Sequence, residues 1–248
     1  MKVQILDTAE ALGRAAACRC AEVIAAAIRE KGKARVIFST GASQFSTIEA
    51  LLGSDIDFSR VEAFHLDEYI GLPDTHKASF RKYLRERLFS KKAFLATHLV
   101  SGEGDVPWNI AELNRLILED EIDLGIIGIG ENAHIAFNDP PADFTAEEPY
   151  IVVTLNDTCK SQQVREGWFP DLDSVPKKAV SMSVRQILRC LHIVCPVPHA
   201  VKADAIAAAL SSEVTPLIPA TILKTHPDVT LFLDENSASG VGEDYENI

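Results

Sequence analysis

Residues 122–140 read IDLGIIGIGENAHIAFNDP, an aliphatic run closed by two glycines and followed at once by Asn132, His134, Asn138 and Asp139. A short apolar run interrupted only by glycine suits a strand buried on both faces, the condition of a parallel sheet covered by helices on each side. Gly128 and Gly130 let the backbone turn sharply and come close to a ligand. In an open parallel sheet, ligands bind in the crevice beyond the carboxyl ends of the strands, so this turn is expected to deliver the polar cluster there. A lone histidine after a strand is ordinarily a structural residue. Asp139, five residues on, can fix its tautomer and support its charged form, and such a pair suits proton transfer.

The rest of the chain alternates between the two periodicities. Strands are expected at Lys2–Leu6, Arg35–Ser39, Val61–Leu66, Leu124–Ile129, Tyr150–Leu155, Ala179–Ser183, His192–Val197 and Val229–Leu233. Helical patterns lie between them: from a Thr8 cap towards Lys31, through Ile48–Leu52, and over Ser79–Phe89, Trp108–Asp120, Val184–Arg189 and Ala203–Leu210. This alternation predicts an α/β fold, a doubly wound, mostly parallel, Rossmann-like sheet flanked by helices. At 248 residues the chain fits one domain over 1–248, with an acidic tail from about 235 expected to be mobile. The polar segment holding Lys160, Arg165 and Trp168 fits either a flap over the site or a plain surface connection.

Charge and cysteines exclude several classes. A net charge of -12 repels nucleic acid and anionic membrane, so neither is expected as a partner, although a local set of amides and lysines can still hold a small anion. No apolar run is long enough to span a bilayer, and charges come too early for a signal peptide, which predicts a cytoplasmic protein. The five cysteines include no CxxC pair and no spaced Cys/His set, so no disulfide framework and no metal site are expected.

Three polar strand ends are expected on one edge. After Arg35–Ser39 comes Thr40-Gly41-Ala42-Ser43 and then a helix. This is either an ordinary capped helix start or a cradle in which backbone amides and the hydroxyls of Ser39, Thr40 and Ser43 hold a phosphate. After Val61–Leu66 come Asp67 and Glu68, which serve either as turn caps or as site acids. Lys202 falls in the first turn of the Ala203 helix, where the helix dipole opposes a cation, and that misfit hints at an anionic ligand. The basic run Arg81, Lys82, Arg85, Arg87 reads as a solvated face.

Phe64-His65-Leu66-Asp67-Glu68-Tyr69-Ile70-Gly71-Leu72-Pro73 and Gly128 through Pro140 resemble the two signatures of the glucosamine-6-phosphate deaminase family. The resemblance extends loosely from Ser39-Thr40-Gly41 through Val175-Pro176-Lys177-Lys178-Ala179 to Lys202 and the last strand. It implies conversion of glucosamine 6-phosphate and water to fructose 6-phosphate and ammonia, with no metal or organic cofactor and a small sugar phosphate as the partner. It further implies that His134, with Asp139 and Asn132, opens the sugar ring, and that Asp67 takes the proton from the carbon bearing the amine, with Glu68 beside it. For the substrate phosphate it implies Ser39, Thr40, Gly41, Ala42, Ser43 and Lys202, with a flap cation for which Arg165 is the first choice and Lys160 the second. Family members vary in assembly, which leaves a homo-oligomer open.

Three departures stand out. Asn132-Ala133 replaces a common Asp-Gly, and Asp139 replaces a common Glu. Asn132 can orient a neighbour but cannot ionise, so ring opening rests on His134 and Asp139. Regulated members use basic residues after the central motif to hold an effector; residues 140–158 contain no Lys or Arg, so no such response is expected. The alternatives are a deaminase/isomerase for another amino-sugar phosphate such as galactosamine 6-phosphate, a 6-phosphogluconolactonase-type hydrolase and, from another class, a non-catalytic sugar-phosphate sensor. The lactonase pattern typically continues Ala-Ser-Leu-Phe-Pro after its histidine, where this chain has Ile135-Ala136-Phe137-Asn138.

Overall fold

The computed structural model describes residues 1–242. Ten strands run in chain order: β1 (Lys2–Leu6), β2 (Ala34–Phe38), β3 (Val61–His65), β4 (Asp67–Tyr69), β5 (Ala96–His98), β6 (Leu124–Ile126), β7 (Tyr150–Thr154), β8 (Lys178–Met182), β9 (His192–Val197) and β10 (Val229–Asp234). Between them lie α1 (Ala9–Lys31), α2 (Phe45–Leu52), α3 (Phe80–Leu84), α4 (Val106–Ile117), α5 (Asp157–Arg165), α6 (Val184–Ile187) and α7 (Ala203–Ser211). Local chemistry sets the helix limits: the Thr8 hydroxyl accepts the Ala11 N–H at 3.1 Å to start α1, and the Gly32 N–H returns to the Ile28 carbonyl at 2.9 Å to end it.

Seven strands form one sheet in the order β1-β10-β9-β6-β2-β3-β5, and every neighbouring pair is parallel. The order runs one way from β2 through β3 to β5 and the other way from β6 through β9 to β1. The switch point therefore lies between β2 and β6, where an α/β sheet opens a crevice for ligand. The Ser39 N–H donates to the Ile126 carbonyl there at 3.1 Å. α1 and α2 pack an apolar core on one face, while α4, α6 and α7 cover the other. No helix of the described residues is long and apolar enough to cross a membrane.

The structure departs from the sequence expectation in four places, the first being β5, an edge strand of the main sheet not expected from the sequence. Tyr150–Thr154 and Lys178–Met182 do not join the parallel sheet; they pair antiparallel with Asp67–Tyr69 in a small second sheet, order β4-β8-β7. Strand periodicity is the same in either sheet, and only long-range pairing distinguishes them. The polar segment expected to be irregular is helix α5, capped by Asn156, whose side chain accepts the Cys159 N–H at 2.8 Å. Cys159 and Val164 seat it on a cluster with Tyr69, Phe137 and Phe169. Of the tail set apart from about 235, residues up to Gly242 are described: Asp234 accepts the Ser237 N–H at 2.7 Å and Ser237 is buried; residues 243–248 lie outside the described residues.

Candidate functional site

Beyond the carboxyl ends of β2, β3, β6 and β9 lies a cleft of about 490 Å³. The turn after β2 contributes Ser39, Thr40, Gly41, Ala42 and Ser43, all of which line it. Gly41 adopts φ 105°, a conformation that favours glycine, and its carbonyl accepts the Tyr83 hydroxyl at 3.0 Å. Gln44 ties this turn to the neighbouring strand, its amide donating to Ser43 Oγ and to the Pro196 carbonyl, each at 3.2 Å. Ser39 Oγ is buried with no hydrogen-bond partner, an open position for a polar ligand atom. Lys202, immediately before α7, also lines the cleft; burial lowers its pKa, opposed by the nearby Glu131 and Glu166 carboxylates.

Asp67 and Glu68 are neighbours in sequence with opposite fates, because successive side chains of a strand point to opposite faces. Asp67 lines the cleft at 7% exposure, and burial, reinforced by the Glu68 charge, pushes its pKa up to about 8. Glu68 is fully buried and absent from the cleft wall. Its carboxylate accepts the Tyr69 N–H at 2.9 Å, the Ser79 hydroxyl at 2.8 Å, and the Arg81 backbone and guanidinium N–H groups at 2.9 and 3.3 Å. This corrects the expectation of Glu68 as a substrate ligand: it holds the start of α3 against β4. It also removes Arg81 from the solvated basic face, since Arg81 is buried beneath that helix.

After β6 the chain turns through Gly128 and Gly130. The His134 ring lies directly on Gly130, where an added Cβ would stand 2.1 Å from Cε1, so only glycine allows that ring position. Asn132 Oδ1 accepts the His134 N–H at 3.2 Å and sits 2.5 Å from His134 Nδ1, while Asn132 Nδ2 donates to Asp139 Oδ1 at 3.0 Å. His134 Nδ1 is 3.3 Å from that same Asp139 oxygen. Two acceptors thus converge on Nδ1, which fixes its proton and leaves Nε2 for the cleft. Burial opposes ionisation of Asp139, but the His134 and Asn132 contacts outweigh it, and its pKa falls below the ordinary carboxylate value. Ala133 holds φ 62°, so alanine at this turn carries about 1 kcal/mol of strain relative to glycine. Asn138 is structural, donating to the Ile135 and Met182 carbonyls at 2.8 and 2.9 Å.

Neither flap cation expected from the sequence lines the cleft. Arg165 pairs with Glu131 at the rim with an exposed side chain, and Lys160 pairs with Asp157 at 3.3 Å. α5 sends Gln163 inward, and Glu166 and Trp168 follow it. The cations that do line the cleft besides Lys202 are Lys77, Lys82 and Arg87, from the segment around α3. Arg87 stacks on Phe45, its guanidinium carbon 3.7 Å from the ring centroid, and Lys77 donates to the Gly167 carbonyl at 2.7 Å. The basic run was visible in the sequence, but which of its members faces inward depends on how α3 and the π-turn over Arg85–Phe89 pack.

His199 also lines the cleft, with φ 82° and ψ 141°, a region that glycine alone occupies readily and that costs about 1–3 kcal/mol for other residues. Among the described residues no group of His, Cys, Asp or Glu is arranged to hold a metal ion.

A parallel α/β sheet that opens at its switch point onto a buried acid, an oriented histidine and a half-buried lysine defines an acid–base enzyme with a small-molecule cleft. The family model described as glucosamine-6-phosphate isomerases/6-phosphogluconolactonase matches residues 7–232, and the chain belongs to that family. A glucosamine-6-phosphate deaminase of Oenococcus oeni is 34% identical over 202 residues, covering 81% of this chain and 84% of that protein. One from Lactobacillus delbrueckii subsp. bulgaricus is 31% identical over 240 residues, covering 96% and 99%. A solved monomeric glucosamine-6-phosphate deaminase matches with TM-score 0.86 at 31% identity, covering 97% of this chain and 100% of its own. The 6-phosphogluconolactonase of Trypanosoma brucei matches with TM-score 0.79 at 15% identity, covering 97% and 98%, a likeness of fold alone.

Proposed function

We propose that the protein converts glucosamine 6-phosphate and water to fructose 6-phosphate and ammonia. The observation that carries this reading is Asp67, a buried carboxyl whose pKa of about 8 suits abstraction of a carbon-bound proton near neutrality, in one cleft with the oriented His134. The high identity to deaminases, against a likeness of fold alone to lactonases, supports the same choice.

His134 Nε2 takes the proton of the anomeric hydroxyl and returns one to the ring oxygen, so the C1–O5 bond breaks and the open-chain aldehyde forms. Asn132 and Asp139 hold Nδ1 and stabilise the imidazolium that appears between the two transfers. Asp67, once ionised, takes the proton from C2 while the aldehyde oxygen takes one from the substrate ammonium, giving a neutral enaminol; Asp67 then delivers its proton to C1, leaving an iminium at C2. Water adds to that carbon, a proton passes from the added oxygen to the nitrogen, and the C–N bond breaks; ammonia leaves with the remaining hydroxyl proton as ammonium, and the ketone remains. The phosphate lies against the Ser39–Ser43 turn, where helix-start amides, Ser39 Oγ and Lys202 meet it. The reaction is assigned to the cytoplasm, which the buried free thiols Cys20, Cys159, Cys190 and Cys195 support.

The test is ammonia release from glucosamine 6-phosphate coupled to detection of fructose 6-phosphate, with 6-phosphogluconolactone and galactosamine 6-phosphate run alongside. Absence of ammonia from glucosamine 6-phosphate with wild-type protein would sink the reading.

A further inference from the structure

His199 is a strained residue whose strain its own side chain does not explain. Its backbone N–H donates to both carboxylate oxygens of Asp234, at 3.1 and 3.0 Å, and Asp234 is buried and locked in turn by Ser237. Those bonds hold the backbone at its positive φ, yet they use only the main chain of His199, and glycine would form them without strain. The imidazole makes no hydrogen bond or ion pair among the described residues, and it is exposed at the cleft wall. A larger side chain at a position suited to glycine, with no hydrogen bond or ion pair of its own among the described residues, points to the cleft that it lines.

It lines the cleft at the end of β9, next to the turn that carries Lys202. Lys202 follows three residues later, and the Gln44 amide fixes the Pro196 carbonyl, at the end of β9, to Ser43 of the phosphate turn. Arg165, the cation expected to close that end, is engaged with Glu131 at the rim. We propose that His199 is a specificity residue whose imidazole N–H donates to a phosphate oxygen of the substrate. This rests on the sugar-phosphate reading given above, but not on the deamination step.

The experiment compares wild type, His199→Gly and His199→Asn in three measurements: steady-state kinetics with glucosamine 6-phosphate, calorimetric titration with inorganic phosphate, and thermal unfolding. In His199→Gly, KM and the phosphate Kd are expected to rise roughly tenfold, the worth of one hydrogen bond to a charged group, with kcat within about twofold. Tm is expected to rise, because the strain is gone. His199→Asn, which keeps a donor and tolerates positive φ, is expected to recover part of the affinity. Unchanged KM and phosphate Kd in His199→Gly would overturn the inference. So would weaker binding accompanied by a fall in Tm, which would make the ring a packing element. Should wild type release no ammonia, the deaminase reading fails, while the phosphate titration still decides the role of His199.

Discussion

The two edges of the main sheet treat buried polar groups in opposite ways. At the amino edge, Arg35 is almost fully buried and every direction of its guanidinium is answered: Glu62 at 2.9 Å, the carbonyls of Leu116 and Ile117 at 2.6 and 3.1 Å, and that of Asp120. Glu62 also meets His98 at 2.9 Å, and Asp123 accepts the Arg35 N–H and the Lys31 ammonium at 2.8 and 2.9 Å. At the carboxyl edge, by contrast, Ser39 Oγ, Gln44 Oε1, Thr47 Oγ1, both ring nitrogens of His65 and the Tyr69 hydroxyl are buried without partners among the described residues. Of these residues Ser39 lines the cleft, and the others lie behind its wall. The amino edge is closed by its own hydrogen bonds; the carboxyl edge opens onto the cleft.

The sharpest way to break that contrast is to exchange the consequences of substitution at the two edges. Asp67→Asn is expected to lower kcat about a hundred- to ten-thousand-fold, the contribution of a general base. Its effect on stability depends on pH. The folded Asp67 titrates at about 8, above its ordinary 3.8, so between those values the folded chain holds a proton that the unfolded chain has lost. Stability therefore declines as pH rises through that window, and the asparagine variant escapes the decline. Thermal unfolding should show Asp67→Asn above wild type at pH 8 and level with it near pH 4, while wild-type kcat/KM climbs with pH towards 8. A variant less stable than wild type at pH 8 would contradict the assignment.

Arg35→Met, at the closed edge, is expected to do the reverse: a loss of about 3–5 kcal/mol as Glu62 loses its guanidinium partner and three carbonyls lose their donor, with KM of the remaining folded protein unchanged. Denaturant unfolding beside steady-state kinetics checks both halves. A smaller effect is expected from Asn132→Ala, which removes the nearest acceptor from His134 Nδ1: kcat falls roughly tenfold and KM stays within twofold, as rate measurements at saturating and limiting substrate would show. The smallest separates cations inside the cleft from those at its rim. Arg87→Gln should raise KM about fivefold, and Arg165→Gln should leave it within twofold; the opposite order would return the flap arginine to the substrate.

The alternation of strands and helices, the glycine turns and the side chains Asp67, His134 and Asp139 were legible because each is a local signal: periodicity, turn chemistry, and acids or bases at strand ends. Caps at Thr8 and Gly32 were legible for the same reason. Ser39 to Ser43 and Lys202 line the cleft. Less was legible where two readings share one local pattern. Tyr150–Thr154 has the same alternation in a parallel or an antiparallel sheet, and α5 lacks the apolar face that announces most helices, since a helix resting on a few residues needs no long stripe.

By itself, then, the sequence determined the fold class, through periodicity, and the family, through the two motifs at Phe64–Pro73 and Gly128–Pro140. Only the tertiary structure decided which of two adjacent acids faces the cleft, which cations of a basic run turn inward, and that His199 occupies a backbone region suited to glycine. Those outcomes depend on long-range hydrogen bonds, from Arg81 to Glu68 and from His199 to Asp234. No local sequence pattern encodes such pairings, because the partners lie 13 and 35 residues apart.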